Sequence, residues 1–244
     1  MQSNAAPWAP RVLLLGATGR TGLCLLEAAR EARVSVTALV RREGVLAARE
    51  GLSIVVVSRV DAASIAENLA GHTTIISAVG PPSLGPTTVC ADVARAMVEA
   101  ASVSRAQRLV AISSALVDRG AGLFARALAS TVFRNVVRDA RAMEATLLAS
   151  GLPVAILRPP RLVDGERRRN LLTYPDGHPR GRHVVTRADV ADYVIAHHVG
   201  SREGSMVLGL AASDTGAQRD ASEEEDARRA LYSLVSRATQ PACR

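Results

Sequence analysis

The sequence contains no lysine and very few aromatic residues, and these two shortages limit the chemistry that it can perform. All of its basic residues are arginines, which leave the 244-residue chain with a formal net charge of +7, while Phe, Trp and Tyr make up only 2%. Proteins that bind nucleic acid through a basic surface commonly cluster that charge and stack bases on aromatic rings. Here the arginines are spread along the chain. We therefore expect no nucleic-acid partner and favour an acidic or phosphorylated small molecule, with a simple compositional bias toward arginine as the alternative.

Long apolar runs, signal-peptide features and metal-ligand spacings are also missing. No apolar run approaches the roughly 20 residues of a membrane span, and residues 1–10 lack the apolar segment of a signal peptide. Cys24, Cys90 and Cys243 show no C-x-x-C spacing, and the five histidines form no ligand motif. The neighbouring His197 and His198 are interpreted as a surface pair. We expect a cytoplasmic protein with reduced thiols, no membrane partner and no metal.

The most informative stretch is residues 12–22, which read VLLLGATGRTG. Four apolar residues stop at Gly16, two more glycines follow at Gly19 and Gly22, and residues 23–30 contain no helix breaker. This order predicts a buried strand, a tight turn and a helix. In such a turn Gly16 makes the bend, Gly19 lets the backbone approach a diphosphate, and Gly22 lets the helix pack closely. Glycines also punctuate ordinary turns, but the strand before and the helix after favour dinucleotide binding.

The rest of the chain alternates between apolar runs and helical periodicity. Strands are predicted at 34–40, 53–57, 73–79, 108–112, 153–157 and 206–210, and helices at 62–69, 87–102, 123–150 and 187–199. This alternation predicts an α/β fold, a single Rossmann-type doubly wound parallel sheet with helices on both faces. Residues 11–212 are predicted to form the NAD(P)-binding domain with its substrate loops. Residues 1–10 are read as an N-terminal extension, and residues 213–244 as a tail with an amphipathic helix.

The end of the second strand indicates which dinucleotide binds. Arg41 and Arg42 stand where NAD-binding sites place an acidic residue, and arginine there accommodates the 2′-phosphate of NADP. We therefore predict NADP(H) as the cofactor, although Glu43 nearby leaves open a merely solvated strand end. Arg20, inside the glycine loop, is a second candidate for the same phosphate.

Further cofactor contacts are expected where the third and fourth strands end. Asp61 lies just past the third strand and is assigned to the adenine. Ala78, Val79 and Gly80 close the fourth strand, and the loop that follows them is predicted to cover the nicotinamide half of the cofactor.

The candidate catalytic residues are Ser113 and Ser114, at the carboxyl end of the fifth strand, where substrate and nicotinamide meet in such a sheet. The alternative is that these hydroxyls hydrogen-bond the turn. Residues 158–187 contain eight arginines together with Gly and Pro. We interpret them as a loop that covers the substrate and attracts carboxylates, with a solvated surface loop as the alternative.

Six segments occur in an order that resembles a known family: GATGRTG, TALVRR, LGPTTV, AISSALV, ASGLPVAILRPPRL and VVTRADVADYV. They are similar to the NAD(P)H-binding, NmrA-like atypical short-chain dehydrogenases/reductases, and above all to the biliverdin IX-beta reductase/flavin reductase branch. The resemblance implies an NADPH-dependent reductase of small conjugated acceptors such as flavins, quinones or tetrapyrroles. It assigns Arg41 to the 2′-phosphate, Ser114 to the nicotinamide and substrate end, and to the diphosphate Gly16, Thr18, Gly19, Arg20, Thr21 and Gly22. That branch has histidine where this chain has Arg161, which leaves the acceptor open.

The absence of lysine also bears on the mechanism. Short-chain dehydrogenases commonly use a tyrosine with a lysine four residues later, and this pair cannot exist here. The tyrosine in the substrate loop is Tyr174, which with Arg161 is a candidate substrate contact. A reductase of this kind would mainly position donor and acceptor, and the proton would come from water, Ser114 or the acceptor itself. Two alternatives remain: a non-catalytic NADP(H) sensor and a redox-neutral biosynthetic enzyme. A monomer or a homodimer is expected.

Overall fold

A computed structural model describes residues 11–104, 108–118, 127, 129–175, 177–178 and 184–213. The predictions made for the N-terminal extension and for the helix of the tail lie outside the described residues. The domain boundaries therefore stay predictions.

The described chain alternates between strands and helices, as the sequence predicts. The strands are β1 (Arg11–Leu15), β2 (Ser35–Val40), β3 (Leu52–Val56), β4 (Thr74–Ser77), β5 (Arg108–Ile112), β6 (Val154–Arg158), β7 (Arg161–Val163), β8 (Leu171–Tyr174), β9 (Val184–Thr186) and β10 (Met206–Ala212). The helices are α1 (Arg20–Glu31), α2 (Ala62–Glu67), α3 (Val89–Ser102), α4 (Arg134–Leu148) and α5 (Arg187–His198), with a short 3₁₀ turn at Ala115–Val117.

Eight of these strands form one sheet in the order β3-β2-β1-β4-β5-β6-β10-β8. The order 3-2-1-4-5-6 of its first six strands is that of a doubly wound dinucleotide-binding fold. Neighbouring strands are parallel except for β8, which runs antiparallel to β10. The predicted fold class is therefore confirmed, with one antiparallel strand added at the edge of the sheet.

Both faces of the central strands β1, β4, β5 and β6 are buried, which explains why these strands read as continuous apolar runs. Successive strand residues point to opposite faces. Leu14 accordingly packs in the core that α1 and α5 share with the sheet. Leu13 packs in the core under α2, α3 and α4. The sequence prediction of helices on both faces agrees with this arrangement.

The segment predicted as a loop over 158–187 contains three strands instead. β8 extends the main sheet by pairing with β10, so that Tyr174 lies opposite Gly209. β7 and β9 pair with each other in a separate two-stranded sheet. Each of these strands is only three or four residues long, too short for an alternation of apolar and polar residues to be recognised. Tyr174 is therefore a residue of an edge strand rather than of a loop.

The interpretation of His197 and His198 as a surface pair is wrong for one of the two. Neighbouring helix residues point about 100° apart around the axis, and α5 lies against the sheet. His197 is therefore exposed, whereas His198 faces inward and keeps only 1% of its accessible surface.

Two buried carboxylates attach other segments to helices near the carboxyl edge of the sheet. Asp139 of α4 accepts hydrogen bonds from the backbone N–H groups of Cys90 and Ala91, at 3.0 and 2.9 Å, in the first turn of α3. Asp189 of α5 accepts from the backbone N–H groups of Arg168 and Arg169, both at 2.9 Å. At the start of α5, the Thr186 hydroxyl oxygen accepts from the Asp189 N–H at 3.0 Å and so caps the helix.

Candidate functional site

The carboxyl ends of β1, β4, β5 and β6 are neighbours in the sheet. Most of the residues that the sequence assigns to the site follow these strand ends: Gly16 after β1, Ala78 to Gly80 after β4, and Ser113 with Ser114 after β5. In open α/β sheets, ligands bind in the crevice outside these ends. The topology thus brings together at one edge residues that are far apart in the sequence.

The glycine loop packs so tightly that two of its glycines cannot carry a side chain. Gly16 has φ = +79°, and a Cβ on it would lie 2.8 Å from the backbone carbon of Ala78 and the backbone nitrogen of Val79. A Cβ on Gly22 would lie 2.1 Å from the carbonyl oxygen of Gly16. Gly19 differs, because its φ is −77° and its Cβ would meet only the Gly16 oxygen, at 3.4 Å. Gly16 and Gly22 thus fix the shape of the loop, while Gly19 leaves its exposed side open.

The N-terminus of α1 has the properties of an anion site. Its N-cap residue is Gly19, no side chain caps the helix, and its first turn contains no acidic residue. The first N–H groups of a helix lack intrahelical acceptors and carry the positive end of the helix dipole, so they suit a phosphate group. Thr18 and Arg20 are exposed beside this end of the helix, and Thr21 is half-buried. These residues fit the diphosphate of a dinucleotide.

Arg20 is held by an acidic residue that follows β7. Its Nη1 atom lies 3.3 Å from Oδ2 of Asp164, and both side chains are exposed. The other oxygen of Asp164 accepts from Nη1 of the largely buried Arg187 at 2.8 Å. Asp164 therefore connects the glycine loop to the start of α5.

The residues that the sequence assigns to the adenosine half of the cofactor have different surroundings. Arg41 and Arg42 are exposed directly after β2. Asp61 instead caps α2: its carboxylate accepts from the Ser64 N–H at 3.0 Å, and the Ser64 hydroxyl oxygen accepts from the Asp61 N–H at 3.0 Å. The hydrogen bond from the Ser64 backbone is the main cause that lowers the pKa of Asp61. Its carboxylate therefore has a structural role, and its contact with adenine stays a prediction.

The two candidate catalytic serines have different partners. Ser113 donates a 2.5 Å hydrogen bond to Oε1 of Glu144, a side chain of α4 that is almost fully buried. The half-buried Ser114 accepts from the Leu116 N–H at 3.2 Å and so caps the 3₁₀ turn. Hydrogen bonding of the turn, the alternative considered for these hydroxyls, is therefore present at Ser114.

Glu144 also forms a two-point ion pair that the sequence did not predict. Arg158, at the end of β6, donates from Nη2 to Oε2 at 2.6 Å and from Nε to Oε1 at 3.1 Å. The hydrogen bond to Glu144 is the main cause that raises the pKa of Arg158. Each residue alone looks like an ordinary surface charge in the sequence, so no local pattern could have identified the pair.

A second pair of polar side chains lies beside the first. Asp118 follows the 3₁₀ turn, and only 6% of its side chain is exposed. Its Oδ1 atom lies 2.7 Å from Nδ1 of His178, whose ring is about half exposed at 47%. The preceding Gly177 packs against β6, because a Cβ there would lie 2.9 Å from Nη1 of Arg158. His178 occurs in no motif, and the sequence analysis therefore missed it.

The two candidate substrate contacts lie in different strands after β6. Tyr174 is half-buried in β8 and level with Arg158, because both residues face Gly209 of the intervening strand β10. Arg161 is exposed in β7. The structure thus separates these two residues into different sheets.

Among the described residues, no group of three or more His, Cys, Asp or Glu residues is arranged to hold a metal ion. No described helix is long and apolar enough to cross a membrane. Burial raises the pKa of the Cys90 thiol to about 12 and also raises the pKa of Cys24. Neither thiol is therefore suited to act as a nucleophile at neutral pH.

A comparison with known families identifies the class of this protein. The family model that matches residues 16–197 is described as NAD(P)H-binding. The match spans well over half of the chain, so the chain belongs to this NAD(P)H-binding family. The prediction of a nicotinamide dinucleotide as cofactor is thereby confirmed.

Solved structures of known proteins share the fold of this chain. The anaerobillin reductase ChuY of Escherichia coli O157:H7 is 24% identical, with a TM-score of 0.68 over 84% of this chain and 98% of its own. A short-chain dehydrogenase/reductase of Veillonella parvula, solved in complex with NADP, is 15% identical, with a TM-score of 0.69 over 82% and 94%. The oxidoreductase ylbE of Lactococcus lactis is 19% identical, with a TM-score of 0.67 over 84% and 91%. These likenesses show that the chain has the same fold as the three neighbours.

Proposed function

We propose that the protein is an NADPH-dependent reductase that delivers hydride to a small conjugated acceptor of the flavin, quinone or tetrapyrrole type. The observation that carries this proposal is the glycine cradle at the uncapped N-terminus of α1, with Arg41 exposed at the end of the neighbouring strand β2. When bound in such a cradle, a reduced nicotinamide dinucleotide supplies the hydride.

Each part of the site has a distinct task in this proposal. The backbone around Gly19 and the exposed Arg20 bind the diphosphate. Arg41, with Arg42 beside it, binds the 2′-phosphate and so selects NADPH over NADH. Ala78 to Gly80 border the nicotinamide, and Ser114 lies at its junction with the substrate.

The absence of lysine favours a particular class of acceptor. Because the sequence has no lysine, it cannot lower the pKa of a catalytic tyrosine in the way that alcohol dehydrogenases of this fold do. A conjugated acceptor needs less help, since it spreads the incoming charge over its own π-system. The name of the neighbour ChuY supports a tetrapyrrole within this class.

The direct test is to follow NADPH oxidation with a panel of flavins, quinones and bilins while measuring the dissociation constants of NADPH and NADH. We expect turnover with at least one acceptor class and tighter binding of NADPH. Tight binding without turnover across the panel would contradict a reductase and favour a sensor or a redox-neutral enzyme. Equal binding of the two cofactors would contradict the role of Arg41.

A further inference from the structure

We propose that Arg59 binds the 2′-phosphate of NADPH together with Arg41 and so helps to select this cofactor; this inference rests on the proposed function. Arg59 is not among the cofactor contacts that the sequence predicts. The observation behind the proposal is that Arg59 follows β3 at the edge where β2 ends in Arg41 and Arg42, and that its guanidinium is exposed and held at one nitrogen.

The register of the sheet brings the ends of β2 and β3 together. Val40 lies opposite Val56, and the next N–H group, that of Val57, donates to the carbonyl oxygen of Val40 at 2.9 Å. Neighbouring strands lie about 4.8 Å apart, so the two chains leave the sheet side by side. Arg41 and Arg59 follow within two residues of this last hydrogen bond. Their long side chains can therefore reach one phosphate group.

The charges at this edge favour an anion. Arg41, Arg42 and Arg59 are all exposed, and neither Arg41 nor Arg42 forms a hydrogen bond or ion pair with another residue that the structure describes. Glu43, also exposed, is the acidic residue that follows them. Guanidinium groups this close repel one another. A phosphate monoester, with a charge of about −1.5 to −2 at pH 7, relieves that repulsion.

Arg59 is held in a way that leaves the end of its guanidinium available. Its Nε atom lies 3.3 Å from Oδ2 of Asp61, while 80% of its side chain is exposed. The other oxygen of Asp61 accepts from the Ser64 N–H at 3.0 Å, so this carboxylate is itself fixed at the start of α2. The contact at Nε leaves Nη1 and Nη2, which together can bind two oxygens of one phosphate.

This geometry distinguishes the two nicotinamide dinucleotides. A guanidinium group can only donate hydrogen bonds, and a phosphate monoester offers it three strong acceptor oxygens. NADH has an uncharged hydroxyl at the same ribose position, and Arg59 gains little from it. Arg59 therefore contributes to the preference for NADPH rather than to dinucleotide binding in general.

The first test compares Arg59→Gln with Arg95→Gln, a matched control that removes another exposed arginine paired with a carboxylate, Asp92 of α3. A hydrogen bond to a charged group changes a dissociation constant by about tenfold or more. We therefore expect Arg59→Gln to raise the dissociation constant of NADPH by about tenfold and to leave that of NADH within about twofold. The control should change neither value.

Two results would overturn the role of Arg59: an unchanged dissociation constant of NADPH in Arg59→Gln, or an equal rise for NADPH and NADH. Wild-type protein that binds both cofactors equally would remove the proposed NADPH selectivity and this inference with it. Preference for NADPH without turnover of any acceptor would contradict the reductase alone, because these measurements require only binding.

A second readout observes the phosphate itself. A phosphate monoester titrates with a pKa of about 6, and nearby guanidinium groups lower that pKa by favouring the dianion. The ³¹P resonance of the 2′-phosphate in bound NADP⁺, followed against pH, should therefore titrate at lower pH in the wild-type protein than in Arg59→Gln. The Arg95→Gln control should titrate like the wild-type protein. Identical titrations in the wild-type protein and Arg59→Gln would show that Arg59 does not contact this phosphate.

Discussion

At the scale of single residues, the glycine loop separates the requirements of folding from those of binding. Gly19→Ala should leave the free energy of unfolding within about 0.5 kcal/mol, because its φ of −77° suits alanine and its Cβ would meet only one atom, at 3.4 Å. The added methyl group nevertheless points to where a diphosphate would approach, so the dissociation constant of NADPH should rise by about tenfold, or 1.4 kcal/mol.

Gly22→Ala should instead lower the free energy of unfolding, since its Cβ would lie 2.1 Å from the carbonyl oxygen of Gly16. Overpacking of this kind costs about 1–3 kcal/mol, which urea unfolding measures directly. If both variants lose stability to the same extent, Gly19 is a packing residue and its predicted role in binding is wrong.

Arg41 offers a test of cofactor choice. Hydrogen bonds to a charged group contribute about 1.5–3 kcal/mol, so Arg41→Glu should weaken NADPH binding by roughly 10- to 100-fold. NADH lacks the 2′-phosphate and should bind almost as before. Arg138→Glu, an identical charge change on the exposed side of α4, controls for net charge. Equal weakening of both cofactors by Arg41→Glu would show that Arg41 does not bind the 2′-phosphate.

Residue roles could be predicted from the sequence where the physical requirement is local. The spacing of Gly16, Gly19 and Gly22 specifies a turn within one short segment, and the structure shows that turn. The partners of Ser113 and His178 could not be predicted, because they come from elements that only the fold brings together. Ser113 and Glu144, for example, are 31 positions apart.

At the scale of elements, a similar contrast separates the buried parallel strands from the segment between β6 and α5. The central parallel strands are recognisable in the sequence as continuous apolar runs, because both of their faces are covered. β8 has no such run, and it forms because the edge of β10 offers unpaired backbone groups. The many Arg, Gly and Pro residues of this segment are typical of a loop, and its three short strands could not be predicted from the sequence.

The contact between the glycine loop and this segment, through Arg20 and Asp164, should affect the binding of NADPH. Asp164 holds Arg20 in an exposed ion pair, and such pairs contribute about 0.2–1 kcal/mol. A phosphate must compete with Asp164 for Arg20, so Asp164→Asn should tighten NADPH binding by about two- to fivefold. The gain in affinity should shrink at high salt because of screening.

Asp92→Asn, which removes an exposed carboxylate paired with Arg95 on α3, should leave the dissociation constant of NADPH unchanged. Weaker NADPH binding in Asp164→Asn would show instead that Asp164 orients Arg20 for the cofactor.

At the scale of the whole molecule, the edge of the sheet opposite the candidate site contains buried charge that the sequence analysis did not recognise. Arg108 and His198 are each only 1% exposed. Nη1 of Arg108 donates to the carbonyl oxygen of Glu203 at 2.6 Å, while its other two nitrogens and both nitrogens of His198 have no hydrogen-bond partner among the described residues. Burial, and secondarily the charges of Arg108 and His197, lower the pKa of His198 to about 4. The ring of Tyr193, 5.5 Å away, covers the histidine.

This buried histidine should make the folded protein sensitive to acid. An unfolded histidine has a pKa of about 6.5, so between about 6.5 and about 4 the unfolded chain binds more protons than the folded one. The contribution of His198 to stability is therefore complete above that window and is lost as the pH falls through it. Between about pH 7 and about pH 5 the loss of stability amounts to about 2 kcal/mol, and His198→Leu should reduce the fall in unfolding free energy over this range by that amount.

His72, whose pKa burial also lowers, changes stability in the same direction and is still present in the His198→Leu variant. Urea titrations at the two pH values measure the effect, with His197→Gln as the control that should keep the full pH dependence. An unchanged pH dependence in His198→Leu would mean that His198 does not carry this sensitivity.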